Sequence, residues 1–190
     1  MSKRIVILAS GSGTNAEAIA RYFEPGANAK VTLIMSNRCD AYVLERAKKL
    51  NIPANCFSRT ELYETDLVLN RLKAENPSLI VLAGFLWLMP DNIIRNFTRQ
   101  IINIHPALLP KYGGRGMYGS KVHEAVIAAA EKESGISIHY VNEKYDEGDI
   151  IFQARCPVLP NDTPETLAQR IHALEHRHYP EVIEKLLASL

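Results

Sequence analysis

Asn103 and His105 stand two residues apart in Ile101-Ile102-Asn103-Ile104-His105-Pro106, and side chains two apart on a strand share a face. The apolar lead-in reads as the end of a buried strand. Pro106 has no N–H for a sheet ladder and ends it. An amide can hold a developing oxyanion, and an imidazole can move a proton near neutral pH. Together they point to chemistry at a carbonyl; the plainer alternative is a polar pair satisfying a strand end. Asp146, in Tyr145-Asp146-Glu147-Gly148-Asp149, adds a carboxylate that would favour the protonated imidazole and raise its pKa. Glu147 and Asp149 are neighbours, so spacing does not single out one acid. Taken alone, the loop reads most simply as a solvated acidic turn.

Gly11-Ser12-Gly13-Thr14-Asn15 joins the first predicted strand to the first predicted helix. Glycines allow close backbone approach, and free N–H groups at a helix start favour an anion, so phosphate binding is preferred over a bare turn. Gly11-x-Gly13-x-x-Ala16 also fits a dinucleotide fingerprint. The second strand ends in Ser36-Asn37-Arg38 rather than an acid, which disfavours NAD and leaves NADP as a rival reading. His172 and His176 have metal-ligand spacing on a helix, but no third anchor is evident and no metal is assigned. His139, among apolar strand residues, reads as a site wall or a core histidine. Trp87, in Phe85-Leu86-Trp87-Leu88-Met89, is core or a wall for a flat ligand.

The elements that carry these groups alternate. Residues 3–9 form a continuous apolar run, as in a central parallel strand. The helix after the glycine turn buries Ala16, Ile19, Ala20 and Phe23, with Thr14 and Glu17 as a capping box. Further strands are read at 30–35, 53–57, 79–83 and 100–105, with helices at 42–50 and 60–75. That alternation predicts an α/β class with a mostly parallel sheet. A glycine-rich loop (112–119) and a helix (121–132) follow. Alternating runs at 136–141 and 150–158 read as a hairpin, making the last part of the sheet antiparallel. Thr163-Pro164 opens a final helix with Leu167, Ile171 and Leu174 buried and a break or kink at Pro180.

The 190 residues fit one domain, 1–190, with 47% hydrophobic and 23% charged residues arguing against disorder. A formal net charge of +1 argues against nucleic acid as the main partner. Cys39, Cys56 and Cys156 lie far apart without a CxxC, which reads as reduced thiols in a cytoplasmic protein. Neither a signal peptide nor a membrane-spanning run is read, so no membrane partner is expected.

Asn103-Ile104-His105-Pro106-Ala107-Leu108-Leu109-Pro110, the strand at Ser137-Ile138-His139 and the Asp146-Glu147-Gly148 turn closely resemble the folate-dependent formyltransferases. The resemblance covers essentially the whole chain. It implies a Rossmann-like fold with a nucleotide-binding N-terminal half and a folate-binding C-terminal half. It implies 10-formyltetrahydrofolate as a consumed co-substrate, with no metal and no tightly bound cofactor. Relatives acting on tRNA or deformylating folate carry extra domains, so the length favours the branch whose acceptor is glycinamide ribonucleotide in purine synthesis. Asn103, His105 and Asp146 match the catalytic trio. Gly11, Ser12, Gly13, Thr14 and Asn15, with His172 and Glu175, match positions for the ribonucleotide. Arg59 matches a position near the folate tail. Leu86, Trp87, Leu88 and Met89, and Asn142, Glu143, Lys144, Tyr145 and Asp146, match folate-binding segments, as does Asn103. Trp87 and the loop Tyr112-Gly113-Gly114-Arg115-Gly116-Met117-Tyr118-Gly119 depart from the family's pattern. Alternatives are an NADP-dependent oxidoreductase, a non-catalytic binding module, or a formyltransferase for another amine such as a sugar nucleotide. A monomer or a homodimer is expected.

Overall fold

The strand β1 (Lys3–Ala9) is apolar on both faces because it sits mid-sheet: Ile5, Ile7 and Ala9 enter one core cluster, Val6 and Leu8 the other. The computed structural model describes residues 2–24 and 28–190. After β1 come α1 (Thr14–Tyr22), β2 (Ala29–Ser36), α2 (Tyr42–Lys49), β3 (Ala54–Cys56), α3 (Arg59–Tyr63), α4 (Leu67–Glu75) and β4 (Leu79–Leu82). Then follow α5 (Asp91–Asn96), β5 (Ile101–His105), α6 (Ser120–Ala128), β6 (Glu133–Tyr140), β7 (Ile150–Pro157) and α7 (Pro164–Ala188). The sheet order is β3-β2-β1-β4-β5-β6-β7. The first five are parallel, while β6 runs antiparallel to both β5 and β7, as the hairpin reading expected. The chain reverses its winding between β1 and β4, and open α/β sheets bind ligands at that switch point.

Helix α7 fixes this edge from below. Its buried stripe includes Leu167, Ile171, Glu175, Tyr179 and Ile183. The Tyr179 hydroxyl shares its proton between the Leu82 carbonyl at 3.0 Å and the Ile102 carbonyl at 3.4 Å, tying the helix to the end of β4 and the start of β5.

Several local expectations are corrected. The helix read at 60–75 is two helices: Thr65 Oγ1 donates to the Glu61 carbonyl and accepts from Leu67 N–H, a local bonding pattern that competes with helix continuation. The α1 cap is Gly13 with no side-chain bond, not a Thr14–Glu17 box; Glu17 instead pairs with Arg21 and Arg46. Helix α7 is not broken at Pro180 but continues to Ala188, its flanking apolar residues buried in the core. Helix α5 was unread because six residues show little periodicity. Cys39 and Cys56 are not reduced thiols but a disulfide. They stand seventeen positions apart in sequence, yet β2 and β3 are parallel neighbours with Ser36 beside Cys56, and the two Cα atoms lie 5.1 Å apart. Cys156 is a buried free thiol whose pKa burial pushes up. Among the described residues no helix is long and apolar enough to cross a membrane.

Candidate functional site

The carboxyl ends of β1 and β4 open into a cavity of about 800 Å³. One wall is the glycine turn. Gly13 has φ +77°, and a Cβ there would lie 2.4 Å from Val43 Cγ2, so α2 leaves no room for a side chain. The Ser12 carbonyl accepts from Arg46 Nε at 2.7 Å. Buried Ser10 accepts the Leu86 N–H at 2.9 Å, joining this turn to the loop after β4. Gly13→Ala is expected to cost about 1–3 kcal/mol of stability, from left-handed strain and the Val43 clash. Chemical denaturation measures it; an unchanged midpoint would mean α2 yields freely.

At the cavity's other end, Asn103 and His139 sit directly opposite in the β5–β6 ladder. The Tyr140 carbonyl can only accept, so His139 carries its proton on Nδ1, 2.8 Å away. Its Nε2 then accepts from Asn103 Nδ2 at 3.1 Å. Asp146 reaches in from the loop after β6 with φ +57°, a left-handed turn. Its Oδ1 accepts from Asn103 Nδ2 at 3.4 Å, and its Oδ2 accepts the Gly114 N–H at 3.0 Å. The same carboxylate lies 3.5 Å from His105 Nδ1 and 3.6 Å from His139 Nε2. His105 Nε2 donates to the Tyr112 carbonyl at 2.7 Å. Thus the 112–114 segment, which carries no titratable group on the trio, orients two of its members through main-chain atoms. Gly148 permits this turn: a Cβ there would come within 1.7 Å of the Tyr140 carbonyl oxygen that holds His139.

The electrostatics revise one expectation. Burial pushes the His105 imidazole below its ordinary value, and the attraction of Asp146, although upward, does not overcome it. The resting imidazole is therefore neutral near pH 7, not protonated as the sequence implied. For Asp146 burial acts upward, but its polar surroundings, the Gly114 N–H among them, outweigh it and hold the carboxyl low. Asp146 is the anion of the site; Glu147 and Asp149 are exposed, and Asp149 pairs with Arg99.

His123 and His176 are also held below their ordinary value, mainly by burial. A histidine depressed by folding stabilises the fold fully above its unfolded value of 6.5, and that contribution is lost as pH falls through the folded value. The melting temperature is therefore expected to begin falling just below about pH 6.5, before the carboxylates titrate. A His105→Gln, His123→Gln double variant should flatten that limb; an unaltered limb would show that these rings titrate alike folded and unfolded.

The predicted residues gather unevenly. Gly11 to Asn15, Leu86 to Met89, Asn103, His105, His139, Lys144, Tyr145, Asp146, His172 and Glu175 all line the cavity. Arg59, Asn142 and Glu143 do not. Arg59 lies at its rim, with its guanidinium 4.9 Å from the Tyr63 ring and 5.8 Å from the Trp87 ring. Trp87 meets Phe57 and Phe85 edge-on, forming an apolar wall. Glu175 accepts from Asn15 Nδ2 at 2.9 Å, and burial raises its pKa. His172 and His176 stack with centroids 6.4 Å apart, and no group able to hold a metal gathers among the described residues. Ser36 is fully buried, its hydroxyl accepting the Arg38 N–H, which takes it from the NADP reading, whereas Arg38 pairs with Asp40 and lines the cavity. Sequence reasoning missed Ser10, Ser137 and His123. Ser137 donates to the Ala107 carbonyl and accepts from Leu109 N–H and Gln153, bracing the segment after His105.

A doubly wound sheet with its cavity at the switch point defines an α/β ligand-binding class. Comparison with known proteins narrows the class: residues 3–183 match the formyl transferase family. The chain belongs to that family. It is 40% identical over 190 residues to the chloroplastic phosphoribosylglycinamide formyltransferase of Vigna unguiculata, covering 97% of this chain but only 61% of that protein. It is 38% identical over 191 residues to phosphoribosylglycinamide formyltransferase of Bacillus subtilis, covering 97% and 95%. The structure of phosphoribosylglycinamide formyltransferase from Coxiella burnetii aligns with TM-score 0.89 and 40% identity over 100% of this chain and 89% of that one.

Proposed function

We propose that the protein transfers the formyl group of 10-formyltetrahydrofolate to the amine of glycinamide ribonucleotide, a step of purine biosynthesis. The observation that carries this reading is the trio with its neighbour His139: one carboxylate beside two imidazoles and an amide, on the same cavity as the glycine turn. The turn and Glu175 hold the phosphate and ribose, while the 86–89 and 142–146 segments hold the folate, Arg59 meeting its tail at the rim. Residues 1–190 act as one domain, with the main nucleotide loop in the N-terminal half and most catalytic groups in the C-terminal half.

The acceptor amine attacks the formyl carbon, forming a C–N bond and placing negative charge on the formyl oxygen. Asn103 exchanges its long bond to Asp146 for one to that oxygen. His105 begins neutral. Charge developing beside it adds to the pull of Asp146 and favours the imidazolium, which then stabilises the oxyanion. The amine's proton passes to the folate nitrogen through the Asp146–His105 pair or a water that Asp146 holds, and the folate C–N bond breaks. A cytoplasmic location belongs to the same reading.

Purified protein incubated with both substrates should release tetrahydrofolate and formylated ribonucleotide in equal amounts. No turnover by a protein of native circular dichroism would end the reading. A panel of acceptor amines, sugar nucleotides included, should show preference for the ribonucleotide.

A further inference from the structure

His123 has no role in the reaction as described, yet it is one of the few buried polar side chains facing the cavity. It lies on α6, 3% exposed, and lines the wall. Its Nδ1 is sealed from solvent with no hydrogen-bond partner, and among the described residues none bonds its Nε2. Leaving a buried N–H unpaired costs more than leaving a lone pair, so the proton sits on Nε2, the ring nitrogen not sealed away. Helix α6 packs against α7, which carries His172 and Glu175 on the ribonucleotide side, and these residues line the same cavity as His105 at the acyl end. Asn15 Oδ1, on the ribonucleotide side, is likewise buried and unpartnered.

Resting on the proposed formyl transfer, we infer that His123 is a specificity-determining residue whose Nε2–H donates to the amide carbonyl of the acceptor, between its ribose and its amine. In the acceptor that carbonyl is the group separating the phosphoribosyl end from the attacking nitrogen, so it spans the same interval as the ring. The interaction orients the amine toward the formyl carbon. It also discriminates against amines on sugars, which lack a carbonyl at that distance. A neutral imidazole suits the task, since burial keeps it uncharged while its one N–H remains a donor for a carbonyl.

The test uses carbocyclic glycinamide ribonucleotide and an analogue whose amide carbonyl is replaced by methylene. His123→Leu should raise the KM of the first about tenfold, the loss of one buried hydrogen bond. It should leave the analogue's kcat/KM within about twofold of the wild-type value. His123→Gln, which places an N–H near the Nε2 position, should recover most of the loss and guards against a folding defect in the leucine variant. Folate KM should not move. Equal losses on both acceptors, no loss on either, or no recovery by glutamine would overturn the assignment. If the wild-type chain turns over neither acceptor, formyl transfer itself falls and this inference with it. If the wild type turns over normally and only the variants fail to discriminate, formyl transfer stands and the role of His123 does not.

Discussion

Asp146→Asn is expected to lower kcat by about 10²–10⁴-fold while the fold stays intact. Asparagine tolerates the left-handed conformation that position 146 adopts at φ +57°, so the turn survives. The chemistry does not, because its donor-bearing half has no suitable place. Turned toward Gly114, its NH₂ meets an N–H that already donates at 3.0 Å; turned the other way, it meets the Asn103 amide. The His105 ring loses the only charge opposing its burial, and the imidazolium form becomes still less accessible. Single-turnover kinetics should show the formyl-transfer step slowed with folate binding little changed. A variant retaining a tenth of wild-type kcat would show that the carboxylate serves the loop rather than the reaction.

His105→Ala is expected to cost a comparable factor, about 10²–10⁴ in kcat. Combined with Asp146→Asn it should lose hardly more than either alone. Groups that act as a unit give non-additive losses, because once one is gone the other has nothing to act through. Here the unit is the imidazole and the carboxylate 3.5 Å apart. Losses that multiply would mean the two side chains work separately and would refute a shared proton path. His105→Ala also leaves the Tyr112 carbonyl without its 2.7 Å partner, so some thermal destabilisation is expected in this variant, as it is from the unpaired amide of Asp146→Asn.

The central strands were legible in sequence because burial on both faces writes an unbroken apolar run, as at 3–9 and 79–83. The strand-end geometry of Asn103 and His105 was legible for the same reason, since the two-residue period fixes their shared face. The choice of Asp146 over Glu147 and Asp149 was not, because it depends on one left-handed residue and on a main-chain N–H thirty-two positions upstream. The charge of His105 was misread because a carboxylate neighbour can be inferred from a motif, whereas desolvation follows from how the 112–114 segment and β6 close over the ring. The Cys39–Cys56 bond was missed because sequence distance says nothing about which parallel strands become neighbours. His123 left no sequence signal: a histidine on the buried side of a short helix resembles any core residue until the empty space beside it is seen.

Asn103 and His139 face each other across the junction where the parallel strands meet their antiparallel neighbour, β6. A ribosome therefore releases the amide and His105 well before it makes the residues that complete their surroundings. Until β6 docks in its proper register and α7 clamps β4 and β5 through Tyr179, a nascent polypeptide carries Asn103 and His105 without the surroundings that position them. On the proposed function, a translation product truncated before α7 is therefore expected to be inert rather than partly active.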